Sequence, residues 1–295
     1  MPRASKPKPI LVLGASGKTG RRVAERLRAR GVPVRPGSRS ADPPFDWHDR
    51  GTWRPALDGA SAAYVSYFPD LAAPGAPEAV GALAAEALEA GVERLVLLSG
   101  RGEEQAQRSE EALKRSGARW TVVRASWFDQ NFSESHFREP LLAGELALPA
   151  GAVPEPFVDA ADIADVAVAA LTDDGHASEL YEVTGPRLLT FADAVAEIAR
   201  ATGRHLRFTP IPLDDFAAAL AADGVPGDEA ELLRYLFGEV LDGRNAHVTD
   251  GVRRALGRAP RDFADYARAA AAAGAWNDVA GQTVALVDEQ SAMPR

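Results

Sequence analysis

The sequence predicts an α/β fold in which a parallel sheet is covered by helices on both faces. Three observations carry that prediction. A continuous apolar run at residues 10–13 leads directly into the glycine turn Gly14, Gly17, Gly20 and then into a helical period. Further strand and helix patterns alternate as far as residue 123, at lengths suited to parallel crossovers. The chain of 295 residues is long enough to bury such a core without staples, and it contains no cysteine.

Each element has its own signal. Val23, Ala24 and Leu27 repeat at helical spacing after the glycines, and Gly31 ends that helix. Residues 32–34 read as a second short strand and residues 62–67 as a third. A helix over 78–90 is closed by Gly91, and 94–98 is a strand dense in Leu and Val. Residues 103–115 form a polar-faced helix ended by Gly117, followed by a strand at 120–123. Beyond Asn131 the rhythm loosens: strands are expected at 146–148, 181–183 and 206–209, helices at 162–171, 191–202 and 214–222. Thr190 is placed to cap the Phe191, Val195, Ile198 stripe, and the alanines at 269–273 fit a terminal helix.

Composition removes several chemistries. Without cysteine there is no thiol nucleophile, disulfide framework or Cys-ligated metal. A formal charge of −9, from 33 basic and 42 acidic residues, argues against nucleic acid as the main partner. No apolar run approaches the ~20 residues that span a bilayer, and the basic, proline-containing start lacks a signal-peptide core, so a cytoplasmic protein is expected. The five histidines show no helical metal spacing, so no metal site is expected. Asp159, Asp162 and Asp165 share one helix edge and are read as helix N-terminal acids.

The glycine turn carries the chemistry. Glycine allows a sharp turn and close approach of a pyrophosphate, whose charge meets free N–H groups and the helix dipole. Gly14, Ala15, Ser16, Gly17, Lys18, Thr19 and Gly20 are therefore expected to hold a dinucleotide. An NAD site places an acid about 20 residues beyond the glycines, whereas a ribose 2′-phosphate needs an arginine and small donors. Here Gly37, Ser38, Arg39 and Ser40 occupy that place, which points to NADPH/NADP+ with Ser38 and Arg39 on the phosphate. At the ends of later strands, Tyr67, Pro69, Ser99 and Gly100 join the expected cofactor set.

The usual proton machinery of short-chain dehydrogenases is missing. None of Tyr64, Tyr67, Tyr181, Tyr235 and Tyr266 has a lysine four residues on, and the chain's lysines are only Lys6, Lys8, Lys18 and Lys114. Ser99 survives at a strand end, with capping of the next turn as its ordinary use. Tyr67, Phe68, Trp127, Phe128 and Asn131 lie where a substrate would meet the sheet edge. Ser99 and Asp129 are the catalytic candidates. Glu155 is read chiefly as a solvated loop acid.

These residues resemble the NmrA-like atypical short-chain dehydrogenases. The segments GKTG, GSRS and WFDQNFSE are similar to the group containing the ergot alkaloid reductases that form festuclavine or agroclavine from an iminium. The resemblance covers most of residues 10–270 and implies NADPH in an extended Rossmann fold with a smaller substrate-covering C-terminal region. It divides the chain into a flexible basic tail at 1–9, an NADP-binding core at 10–150 and a mixed, substrate-covering part at 151–295. A lysine kept by some relatives in the helix after Ser99 has no counterpart, because Ala106 and Gln107 stand there.

An iminium carbon is already cationic and needs only hydride, while a neutral carbonyl benefits from a placed acid. The expectation is a reductase for an iminium or cyclic imine on a small hydrophobic aromatic or heterocyclic molecule, acting without a Tyr/Lys relay. A quinone reductase and a non-catalytic NADP-sensing regulator are the alternatives. Monomer and homodimer are both open.

Overall fold

The computed structural model describes residues 7–277, so most of the expected tail at 1–9 lies outside the described residues. Strand β1 (Ile10–Leu13) is buried at every position because alternate side chains feed different layers. Ile10 and Val12 join one hydrophobic core, Leu11 and Leu13 the other. That double burial is why the sequence shows a continuous apolar run.

The main sheet has six strands in the order β2-β1-β3-β4-β5-β7, every pair parallel. The other five are β2 (Val34–Gly37), β3 (Ala62–Val65), β4 (Arg94–Gly100), β5 (Arg119–Ala125) and β7 (Glu179–Val183). Helices α1 (Lys18–Ala29) and α6 (Ala160–Thr172) pack on one face, with Val23, Leu27, Ile163 and Ala167 among the buried contacts. Helices α2 (Trp53–Leu57), α3 (Ala76–Glu89) and α4 (Glu104–Arg115) cover the other, through Trp53, Leu83 and Leu113. The chain leaves β1 towards β2 and returns on the opposite side as β3, which opens a crevice at the carboxyl ends of these strands.

The second strand is displaced from its expected place. Residues 32 and 33 lead in, and the strand runs Val34–Gly37 as the sheet edge, where Pro36 is tolerated.

A third core lies beyond the sheet. Strands β6 (Glu145–Leu148) and β8 (Arg207–Pro210) form a two-stranded parallel sheet. Around it lie α5 (Arg138–Ala143), α7 (Phe191–Thr202), α8 (Leu213–Ala222) and α9 (Gly227–Tyr235). A π-helical turn at Leu236–Val240 extends α9, and α10 (Gly251–Leu256) and α11 (Phe263–Ala272) complete the chain's described helices. Phe132, Phe157, Phe191 and Phe263 meet here at ring-centroid distances of 5.0–5.9 Å. Thr190 caps α7 in a reciprocal pair with Asp193, as its position in the sequence predicts. Among the described residues no helix is long and apolar enough to cross a membrane.

Candidate functional site

The carboxyl ends of β1, β3, β4 and β5 open into one cleft of about 1100 Å³ that also reaches α9. At one end the glycine turn sets its shape. Gly14 takes a left-handed φ of 66°, its N–H donates to Gly37 O at 3.0 Å, and the Gly17 N–H donates to Gly14 O at 2.9 Å. A Cβ on Gly20 would sit 2.2 Å from Gly14 O, so the start of α1 presses against the turn as only glycine allows. Gly17 caps α1 without a side-chain hydrogen bond, and the first turn carries no acid. The helix N-terminus is thus left to a ligand, and its free N–H groups and dipole suit an anion.

Cations reinforce that end. Lys18 lines the cleft, and burial with the nearby Arg21 and Arg22 pulls its pKa below the usual lysine value, against the attraction of Glu134. Arg21 and Arg22 both hold Glu134 at 2.7 Å. Ser38 and the exposed Arg39 line the cleft where β2 ends, and the Ser38 and Ser40 hydroxyls are 3.3 Å apart. These residues match the requirements of a dinucleotide with a 2′-phosphate, namely a glycine cradle, an uncapped helix and an arginine beyond the second strand.

The other end is aromatic. Tyr67, Phe68 and Pro69 follow β3, and Trp127, Phe128 and Asn131 follow β5, all lining the same cleft. Tyr67 packs on Trp47 with centroids 4.8 Å apart, whereas Phe68 is 63% exposed. Trp127 is anchored from behind by Phe237 at 5.0 Å and Phe191 at 5.5 Å. The structure therefore brings together Gly14, Ser16, Gly17, Lys18, Thr19, Ser38, Arg39, Tyr67, Phe68, Pro69, Ser99, Gly100, Trp127, Phe128 and Asn131. Ala15 and Gly20 are not among the lining residues; Gly20 shapes the turn from beneath.

Three sequence expectations are corrected. Ser99 lines the cleft, but instead of capping a turn its hydroxyl donates to the buried Glu110 at 2.7 Å. Arg124 clamps the same carboxylate at 2.5 and 2.8 Å, so the serine's proton points inward. Asp129 does not line the cleft: it is fully buried, neither carboxylate oxygen has a partner, and burial beside Asp159, Asp162 and Asp262 raises its pKa well above the carboxylate range. Glu155 is no solvated loop acid. It has no exposed surface, accepts from the Ser126 hydroxyl at 3.2 Å, and is pushed up to about 7, chiefly by burial.

The aspartate edge of α6 has a fuller explanation than the helix dipole. Asp159 is the N-cap, accepting from Ala161 N at 2.7 Å, but Asp162 and Asp165 are ion-paired to Arg258 and Arg261. Among the described residues no group of three or more His, Asp or Glu side chains is arranged to hold a metal ion. Lys114 pairs with Glu111 at 2.9 Å and sits 5.5 Å over the Trp120 ring, away from the cleft. Ala106 is buried and Gln107 exposed, so neither supplies what a lysine would.

Sequence reasoning missed other lining residues. Asp46, Trp47 and His48 come from the irregular stretch after β2, and Leu233, Leu236 and Val240 from α9 and its π turn. Asp70 and Glu103 also line the cleft, just after β3 and β4. The strand-end rule that selected Tyr67 to Pro69 and Ser99 to Gly100 reaches these two acids if carried a few residues further.

Comparison with known proteins agrees with this geometry. The family description "NAD(P)H-binding" matches residues 14–174. The chain is 33% identical to YesF, an uncharacterised oxidoreductase of Bacillus subtilis, covering 90% of this chain and 96% of that one. It is 31% identical to the NAD(P)H azoreductase of Xenophilus azovorans, with 90% and 98% covered. Agroclavine dehydrogenase of Claviceps fusiformis is likewise 31% identical, with 87% and 95% covered. Among solved structures, a Staphylococcus aureus nucleoside-diphosphate-sugar epimerase superposes with a TM-score of 0.76 at 17% identity, over 88% of this chain and 99% of that one. The negative transcriptional regulator NmrA bound to NADP gives 0.65 at 18%, over 89% and 95%, and at such identities these two carry the fold alone.

The fold and cleft define a Rossmann-type nicotinamide-dependent oxidoreductase. This chain belongs to the NAD(P)H-binding family, and NAD(P)H is its cofactor.

Proposed function

We propose that this protein is an NADPH-dependent reductase that delivers hydride to an already electrophilic C=N bond, an iminium or cyclic imine, in a small aromatic or heterocyclic molecule. The observation that carries the reading is the make-up of the cleft. A glycine turn and Arg39 stand at one end, an aromatic wall at the other, and no tyrosine of the chain has a lysine four residues on.

Bound NADPH supplies the hydride. The α1 N-terminus and Lys18 neutralise the pyrophosphate, and Ser38 and Arg39 hold the 2′-phosphate. Tyr67, Phe68, Trp127 and Phe128 exclude water and offer π faces that favour a cationic ring. Ser99, with its proton committed to Glu110, presents only lone pairs to the cleft and so acts as an acceptor. The relatives named azoreductase and agroclavine dehydrogenase support redox work on an organic acceptor.

The test is NADPH oxidation by the purified protein across a panel of cyclic imines and quinones. Turnover of imines is the expected result. Silence on imines with turnover of quinones moves the function to quinone reduction, and tight NADP+ binding with no turnover at all makes it a regulator.

A further inference from the structure

The cleft holds a second carboxyl pair besides the internal acids. Asp70 lies just beyond β3 and Glu103 just beyond β4, neighbouring strands, so both come to the crevice edge. Glu103 is only 9% exposed, and its Oε2 has no hydrogen-bond partner. Its carboxyl lies against Gly100, where a Cβ would meet Oε1 at 2.0 Å, so glycine is what admits the side chain. Glu103 and Asp70 line this edge together, and Asp70 accepts from Ala72 N at 2.8 Å. Burial and the Asp70 charge raise the pKa of Glu103 well above normal, and burial raises Asp70 as well, so two acids side by side at this edge favour keeping a proton between them.

The surroundings keep that proton in place. Glu110, from α4, adds a like charge but is engaged by Ser99, Arg124 and Lys114. Arg101, the nearest cation in sequence, turns away to Glu182 at 2.5 Å and to Asn245 and His247. From α9 and beyond, Tyr235, Glu239 and Arg244 are the further titratable groups in electrostatic range of this region.

We propose that the Asp70–Glu103 pair is the proton donor of this cleft, and that it converts a neutral cyclic imine into the iminium that accepts hydride. This rests on the reductase reading above and narrows its substrate to imines that bind uncharged. The O–H bond of Glu103 breaks as an N–H bond forms on the imine nitrogen. The iminium carbon then takes the hydride, the C=N π pair becomes the amine lone pair, and the pair regains its proton from water. The two carboxylates left behind face the cation while it exists.

The test compares a neutral cyclic imine with its N-methyl iminium counterpart, at alkaline pH where the free imine is uncharged. Glu103→Gln is expected to lower the ratio of the imine rate to the iminium rate by ~10²-fold, the lower range for a placed acid. Asp70→Asn, a second way of dismantling the pair, should lower the same ratio. Equal losses on both substrates would overturn the proposal. Infrared difference spectra of wild type minus Glu103→Gln provide a readout independent of turnover: beyond the bands of Asp129 and Glu155, which both proteins share, the wild type should carry a protonated-carboxyl band at neutral pH that the variant lacks. If the band is missing while imines still turn over, the donor role alone fails. If it is present but neither acceptor reacts with the wild type, the reductase reading and this role fail together.

Discussion

Ser126, at the lip of the cleft, turns its hydroxyl inward and donates to Glu155 at 3.2 Å, while the other carboxylate oxygen of Glu155 has no partner. Burial raises that carboxyl from 4.5 to about 7. Between those values the folded chain holds a proton that the unfolded chain has released, so stability falls as pH rises through this window. Glu155→Gln cannot titrate and escapes the loss. Relative to wild type, the variant should gain on the order of 3 kcal/mol at most between pH below 4.5 and pH above 7. Denaturant unfolding at both ends of the window checks this, and parallel pH curves for the two proteins would refute it.

The contact between Gly20 and Gly14 makes a second prediction. Gly20→Ala pushes a methyl group into a backbone carbonyl 2.2 Å away, and backbone cannot swing aside as a side chain does. Overpacking of this kind costs ~1–3 kcal/mol, so the thermal midpoint should drop by several degrees. Because the shift is in the turn itself, NADPH affinity should fall as well. Unchanged binding by calorimetry would mean that the turn does not shape the cofactor seat.

Arg39 is exposed at the cleft mouth and makes no side-chain hydrogen bond within the described chain, so its removal should leave stability nearly unchanged. A charge-assisted bond to a 2′-phosphate contributes ~1.5–3 kcal/mol, so Arg39→Ala should weaken NADPH by about 10- to 100-fold and NADH little. Equal weakening of both cofactors would show that Arg39 does not read the 2′-phosphate.

Two aromatic residues of the same cleft should separate cleanly. Phe68 is 63% exposed, so Phe68→Ala should raise KM for the acceptor with a stability change within ~0.5 kcal/mol. Trp127 is wedged against Phe191 and Phe237, so Trp127→Ala should raise KM and also cost ~3–5 kcal/mol. Chemical denaturation alongside kinetics distinguishes the two, and a stable Trp127→Ala protein would remove its structural half.

What the sequence made legible was whatever is decided locally. The run at 10–13, the glycine triplet and the Thr190 cap each depend on neighbours within a turn or two, and all appear where the pattern puts them. Strand β2 was harder because an edge strand with Arg35 and Pro36 lacks the apolar run of a central one. Asp129 and Glu155 were misjudged for a non-local reason. Phe128 pairs with Val158 and Glu155 with Leu189, and these links draw two loop segments into the interior with their acids. Nothing near either acid in the chain announces that. The partnership of Asp70 with Glu103 is hidden likewise, since it exists only once β3 and β4 lie side by side.

Leu233, Leu236 and Val240 line the cleft from a single unbroken stretch, α9 and the π turn that extends it, whereas the glycine turn and Arg39 belong to the first two strands. One wall of the cleft is therefore written far along the chain from the glycine turn, while Tyr67, Phe68, Trp127 and Phe128 remain tied to the strand ends. Redrafting that one short passage would reshape this wall and leave the sheet and its glycine turn as they stand.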